Sequence, residues 1–147
     1  MLFRSVLDSE NKKKTSAYYS NTLYFDENYV AERISKWTSN KVQTDVFRVE
    51  TWVNQYCQKY EITLSDEQKA SVVGIAGCSF SILTGGPGCG KTTTTKVLVK
   101  LLQAMKKKVV LAAPTGRAAQ RMSDVIGQEA KTIHRLLARI FHKCCVI

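Results

Sequence analysis

One stretch limits what this chain can fold into more than any other. Ser79-Phe80-Ser81-Ile82-Leu83-Thr84-Gly85-Gly86-Pro87-Gly88-Cys89-Gly90-Lys91-Thr92-Thr93 is an apolar run, then a glycine-rich loop, then the start of a helical pattern. It fits the spacing G-x-x-x-x-G-K-[ST] of a phosphate-binding loop, with Gly85, Gly90, Lys91 and Thr92 in the fixed places. A polyphosphate is small and densely charged, so a backbone that holds it must curl closely enough for several N–H groups to point inward. Side chains on the curve would obstruct that approach. Gly85, Gly86, Gly88 and Gly90 remove Cβ and allow the positive φ angles of an anion-binding nest.

The surroundings favour a designed loop over a chance cluster of glycines. At ordinary glycine usage such a coincidence falls in roughly one chain of this length in a few hundred. Phe80 to Leu83 reads as a buried strand, and Lys91 onward as a helix with Val97, Leu98, Leu101, Leu102 and Met105 on one face. The helix start adds its amides and dipole to the pull on negative charge. Lys91 is the residue to reach the β- and γ-phosphates, and Thr92 the one to ligate Mg²⁺. Pro87, Cys89 and Thr93 complete the loop, with Cys89 read as a small residue at a free position.

With 147 residues the chain can build one modest domain with a core and is too short for two substantial ones. No apolar run approaches the roughly 20 residues of a membrane span, and Met1-Leu2-Phe3-Arg4-Ser5 lacks a secretory apolar core, so the expected location is cytoplasmic. The net charge of +10 favours an anionic partner, nucleic acid before a membrane surface. Solvated tips such as Lys12-Lys13-Lys14 and Lys106-Lys107-Lys108 would raise the charge equally well. Cys57, Cys78, Cys89, Cys144 and Cys145 show neither zinc spacing nor a disulfide framework.

Taken in order, residues 1 to 28 are polar and weakly patterned and are expected to be loosely ordered. A helix is predicted from Asn28 with Val30, Ile34 and Trp37 on one stripe, closed by Thr38-Ser39-Asn40. A second runs from Asp45 to Lys59, with Val46, Val49, Val53, Tyr56 and Tyr60 aligned. These aromatics read as packing residues, with base stacking the minority reading.

Ser65-Asp66-Glu67-Gln68 forms a capping box. Two roles are open for Gln68: closing that cap, or meeting the donor and acceptor edge of adenine, which an amide matches. Val109 to Ala113 reads as a second buried strand, joined to the first by a parallel right-handed crossover. Pro114-Thr115-Gly116-Arg117 follows at its carboxyl end, where open α/β sheets bind ligands. Ala118, Ala119, Met122, Val125 and Ile126 mark a helix stopped by Gly127. Thr132 caps a last helix with Ile133, Leu136, Leu137, Ile140 and Phe141 inward and His134, Arg135, Arg139 and His142 outward.

Four blocks stand in the order of a known family. Leu64 to Gln68 resembles a Q motif, and Leu83 to Thr94 resembles motif I. Leu111 to Met122 is similar to motif Ia, and Lys131 to Leu137 to motif Ib, of RecD-type superfamily 1 DNA helicases. That family includes the exodeoxyribonuclease V alpha subunit and the helicase part of conjugative TraA-like proteins. The resemblance covers about half the chain. It implies an α/β fold, a partial RecA-like P-loop NTPase domain with parallel strands over 61–147, preceded by a small helical segment over 1–60.

The resemblance also implies ATP and Mg²⁺ as cofactors and single-stranded DNA as partner, with other recombination or conjugation subunits beside it. Gln68 would meet adenine, Gly86, Pro87, Gly88, Cys89, Gly90, Lys91, Thr92 and Thr93 the phosphates, and Thr115, Gly116, Arg117, Thr132 and His134 the nucleic-acid strand. For His134 a locally satisfied helix-start residue is an equal alternative.

Turnover needs further groups: a carboxylate on Mg²⁺, one on water, and an arginine at the developing charge. Past Lys91 the acids are Asp124 and Glu129, and neither follows an apolar strand. The expectation is therefore an amino-terminal fragment of a 5′–3′ helicase that binds nucleotide without turning it over. Its ending, Cys144-Cys145-Val146-Ile147, reads as a frameshift or truncation tail, or else as a prenylation signal. The alternatives are a small P-loop nucleotide-binding module or a protein-interaction module.

Overall fold

A computed structural model describes residues 2–7, 14–40 and 42–144, with side chains for 20–40 and 42–138. The chain divides into two compact units, Met1–Lys41 and Val42–Ile147.

In the first unit, β1 (Leu2–Leu7) pairs antiparallel with β2 (Lys14–Tyr19), Leu2 opposite Tyr19 and Leu7 opposite Lys14. The weak pattern of residues 1 to 28 pointed to loose order instead. An antiparallel ladder is made by backbone groups, so it forms without a side-chain pattern to announce it. Next comes α1 (Asn21–Ser39), which starts seven residues before the Asn28 expected from periodicity, because Ser20 caps it by accepting from the Leu23 amide. It ends at Asn40, as the polar triplet indicated. None of its residues is buried, so Val30 and Trp37 lie open to solvent.

The second unit begins with α2 (Val46–Lys59), capped by the Asp45 carboxylate on the Arg48 amide. Val49, Val53 and Cys57 of α2 pack with Leu64, with Val72 and Ala76 of α3 (Asp66–Ala76), and with Val97 and Leu101 of α4 (Lys91–Ala104). The apolar face of α2 thus shares one core with α4, and the second compact unit starts at Val42. The incoming chain is pinned there, with the Val42 amide donating to Gly77 O (3.3 Å) and the Thr44 hydroxyl to Ala76 O (3.2 Å).

A second cluster lies across α4. Val99 meets Leu111 of β3 (Leu111–Ala113) and Ile126 of α5 (Gly116–Ile126), with Val109, Met122 and Ala130 against them. The P-loop helix is thus buried on two faces. β3 pairs in parallel with β4 (Ala130–Thr132), Leu111 opposite Ala130 and Ala113 opposite Thr132, with α5 as the crossover that a parallel pair needs. Gln128 ties this unit together, accepting from Gln103 Nε2 (2.7 Å) and donating to Val109 O (2.8 Å). Then α6 (Ile133–Cys144) follows β4 directly.

Two strand expectations change. Residues 80–83 form no strand, and Ile82 is 74% exposed, because the partner that β3 takes is β4. The parallel crossover accordingly runs through α5 rather than α4. In α6, Ile133 and Leu137 are exposed rather than inward, and the side chains of 139–142 lie outside the described residues, as do residues 145–147 of the tail and Lys12 and Lys13.

Candidate functional site

The loop from Gly85 to Gly90 emerges between α3 and α4 and delivers the chain into the first turn of α4. Gly90, the N-cap of α4, has φ 66° and ψ 18°, a left-handed geometry that glycine adopts at little cost. A Cβ built there would lie 2.5 Å from Gln68 Nε2. The position demands glycine twice, by dihedral angle and by space.

Gln68 uses both ends of its side-chain amide. Its Oε1 accepts from the Ser65 backbone amide (2.9 Å), and its backbone N–H donates to Ser65 Oγ (3.2 Å), closing the capping box of α3. Its Nε2 donates to Cys89 O (3.0 Å). One side chain therefore ties the start of α3 to the loop.

Lys91 points back over the loop, its ammonium donating to Gly85 O at 2.6 Å and also to Gly86 O. Cys89 is exposed, and its side chain lies within van der Waals range of where Cβ atoms on Gly85 and Gly86 would be. The threonines that follow divide by role. Thr94, 1% exposed, donates to Gly90 O, and Thr95 donates to Lys91 O. The hydroxyls of Thr92 and Thr93 make no hydrogen bond among the described residues and remain available to a ligand. Thr92 opens onto a cavity of about 580 Å³ whose far wall is Ala118, Arg121, Met122, Asp124 and Val125 of α5. Asp124 there accepts from Gln120 Nε2 (2.8 Å). Among the described residues no group of three or more His, Cys, Asp or Glu could hold a metal ion by itself.

A second site lies at the carboxyl ends of β3 and β4. Thr115 Oγ1 accepts from the Ala118 amide (3.2 Å), capping α5, and Thr132 Oγ1 accepts from the Arg135 amide (3.3 Å), capping α6. A hydroxyl that accepts a cap bond keeps its own proton to donate outward. Gly116 and Thr132 line one cavity of about 310 Å³ together with Gln120, Glu129, Lys131 and Arg135. Thr115, Arg117 and His134 are not among its lining residues; all three are exposed. In the sequence Lys131 and Gln120 stood out only as members of the motif blocks, Glu129 only as a carboxylate, and Arg135 only as an outward residue. The available signal was that Arg135 lies three places after the cap Thr132 and so shares its end of the helix.

Among the described residues no helix is long and apolar enough to cross a membrane. The AAA domain family model matches residues 68–143, just over half of the chain. The ATP-dependent RecD2 DNA helicase of Deinococcus radiodurans is 49% identical over 74 residues, which cover 50% of this chain and 10% of that protein. The RecBCD enzyme subunit RecD of Haemophilus influenzae is 36% identical over 130 residues, 81% of this chain and 20% of the subunit. Conjugal transfer protein TraA of Rhizobium radiobacter is 29% identical over 133 residues, 90% of this chain and 12% of TraA. The chain spans between a tenth and a fifth of these relatives. With a glycine loop feeding the P-loop helix, a glutamine bonded to that loop, and this set of relatives, the chain belongs to the AAA-domain family and is of the RecD-type superfamily 1 helicase kind.

Proposed function

We propose that this chain is the nucleotide-binding part of a 5′–3′ DNA helicase motor, and that by itself it holds ATP without turning it over. The observation that carries the reading is the Lys91 ammonium drawn onto the carbonyls of Gly85 and Gly86 at the mouth of a loop whose glycines leave the α4 amides uncovered. A triphosphate tail bound over Gly86 to Thr93 takes that ammonium for its β- and γ-oxygens. Thr92 supplies one oxygen to Mg²⁺. The remaining ligands are phosphate oxygens and water, the usual company of this ion at nucleotide sites.

Gln68 meets adenine in this reading, and Thr115, Gly116, Arg117, Thr132 and His134 lie along the single strand, positioning its phosphates without reading bases. The partners are single-stranded DNA and subunits of a recombination or conjugation assembly in the cytoplasm. Absence of turnover follows from the acids available. Asp124 lines the cavity onto which Thr92 opens, but it sits within α5 and is engaged by Gln120, and Glu129 lies at the other cavity beside Lys131, so neither carboxylate stands free at the end of a strand beside the phosphate loop.

The test is a titration of the chain with ATP and with ADP, with and without Mg²⁺, alongside Lys91→Ala. Loss of charged hydrogen bonds of about 1.5–3 kcal/mol predicts affinity lower by roughly tenfold to a hundredfold in the variant. Phosphate release in the presence of single-stranded DNA is expected to stay at background. A DNA-stimulated rate that Lys91→Ala abolishes would overturn the claim of no turnover, and failure of the unaltered chain to bind either nucleotide would overturn the site itself.

A further inference from the structure

The cavity at the carboxyl ends of β3 and β4 has a composition that the strand-binding reading does not use. Its acceptors are the Glu129 carboxylate and the amide oxygen of Gln120, whose Nε2 is already given to Asp124; against them stand the Lys131 ammonium, the Arg135 guanidinium, the Thr132 hydroxyl and the backbone at Gly116. Arg135 has no carboxylate within ion-pair distance among the described residues, whereas Lys131 Nζ lies 3.6 Å from Glu129 Oε1. The two members of that pair differ in freedom. Lys131 is held against the protein with 26% of its side chain exposed, while Glu129 is 78% exposed and can swing away at little cost.

We propose that this cavity receives one internucleotide phosphate of the bound strand, that Lys131 and Arg135 are its cations, and that Glu129 competes with the phosphate for Lys131. The proposal rests on the reading that the edge after Ala113 faces a nucleic-acid strand. Donors from two elements, β4 and α6, converge on one small volume, which suits a single tetrahedral anion. Arg135 can offer two parallel N–H groups to its oxygens, and Lys131 a point charge. Glu129 occupies the ammonium until the phosphate arrives and then turns outward to water, so it lowers affinity in proportion to its own hold on Lys131.

The experiment uses the full chain and a fluorescently labelled oligothymidylate, with anisotropy followed across a series of salt concentrations. Arg135→Gln and Lys131→Gln are each expected to weaken binding and to lower the slope of log affinity against log salt by about 0.7, the value for one phosphate contact on a single strand. Glu129→Gln is expected to tighten binding by roughly two- to fivefold, the range of an exposed ion pair. That gain should vanish when Lys131→Gln is also present, which additivity of unrelated sites would not give. Nucleotide affinity, unchanged in each variant, reports that the fold is intact.

Slopes equal to the unaltered chain's in both cation variants overturn the proposal, as does a Glu129→Gln effect that survives Lys131→Gln. Inorganic phosphate that displaces the oligonucleotide at comparable concentration assigns the cavity to a free anion and overturns it too. If the unaltered chain binds ATP and ignores the oligonucleotide, the strand reading fails as a whole. If it binds and only the slopes are insensitive, the strand reading stands and this cavity assignment alone falls.

Discussion

Gly90 and Gln68 are tied to one another, and their contact shows where sequence reasoning stops. The spacing of Gly85, Gly90, Lys91 and Thr92 gave the loop its identity, and Ser65 with Gln68 gave the cap, because both depend on chemistry local to a few residues. That the amide of Gln68 also reaches Cys89 O, 21 residues away in sequence, depends on how α3 packs on α4, which no local pattern encodes. Gly90→Ala tests the pairing. A non-glycine residue in the left-handed region costs about 1–2 kcal/mol, and the new methyl group would lie 2.5 Å from Gln68 Nε2, so the amide must also give way. The expected result is an unfolding free energy lowered by that amount, read as a shift of the urea midpoint at unchanged slope, together with weaker nucleotide binding. A midpoint and affinity equal to the unaltered chain's would mean that the loop does not hold this geometry in solution.

Among the elements, helices were legible, and of the described strands only β3, read from the apolar run Val109 to Ala113. The boundaries of α2 and α5 were marked by their caps Asp45 and Gly127, and their apolar residues recur at helical spacing, so a single segment carries all the information. A strand is defined by its neighbour. Phe80 to Leu83 has the composition of a buried strand but forms none, while Ala130-Lys131-Thr132, with no apolar alternation, becomes β4 because β3 lies beside it. The α2 helix also carries a pH dependence. Burial pushes the Cys57 thiol up, against the lowering pull of Lys69, and pushes the Tyr56 hydroxyl up with help from Tyr60 and Cys57. The native state then keeps protons that the unfolded chain releases, so stability is full below the ordinary thiol value of 9.0 and declines as pH rises through the folded values. Urea midpoints measured from neutral to alkaline pH should fall above that point. Cys57→Ala should start lower, having lost buried packing, yet decline less steeply. A midpoint in the unaltered chain that holds level through alkaline pH would contradict the burial of this face.

On the scale of the whole molecule, both packing clusters of the second unit are built from residues between Val49 and Ala130. Removal of residues 1–41 is therefore expected to leave nucleotide affinity and the melting temperature of the remainder near those of the full chain, as read by calorimetry. A fall of more than a few degrees would mean that the first unit supports the second. Within the second unit, Val97 and Leu101 of α4 serve one cluster and Val99 the other, so a single rod runs through both zones of packing with the phosphate loop at its tip. A ligand at a hundred times its dissociation constant adds about 2.7 kcal/mol to the folded form. Because the rod is common property, that increment cannot be confined to the loop: it should brace the three-helix side and the sheet side alike, and slow amide exchange at Val53 and at Leu111 together.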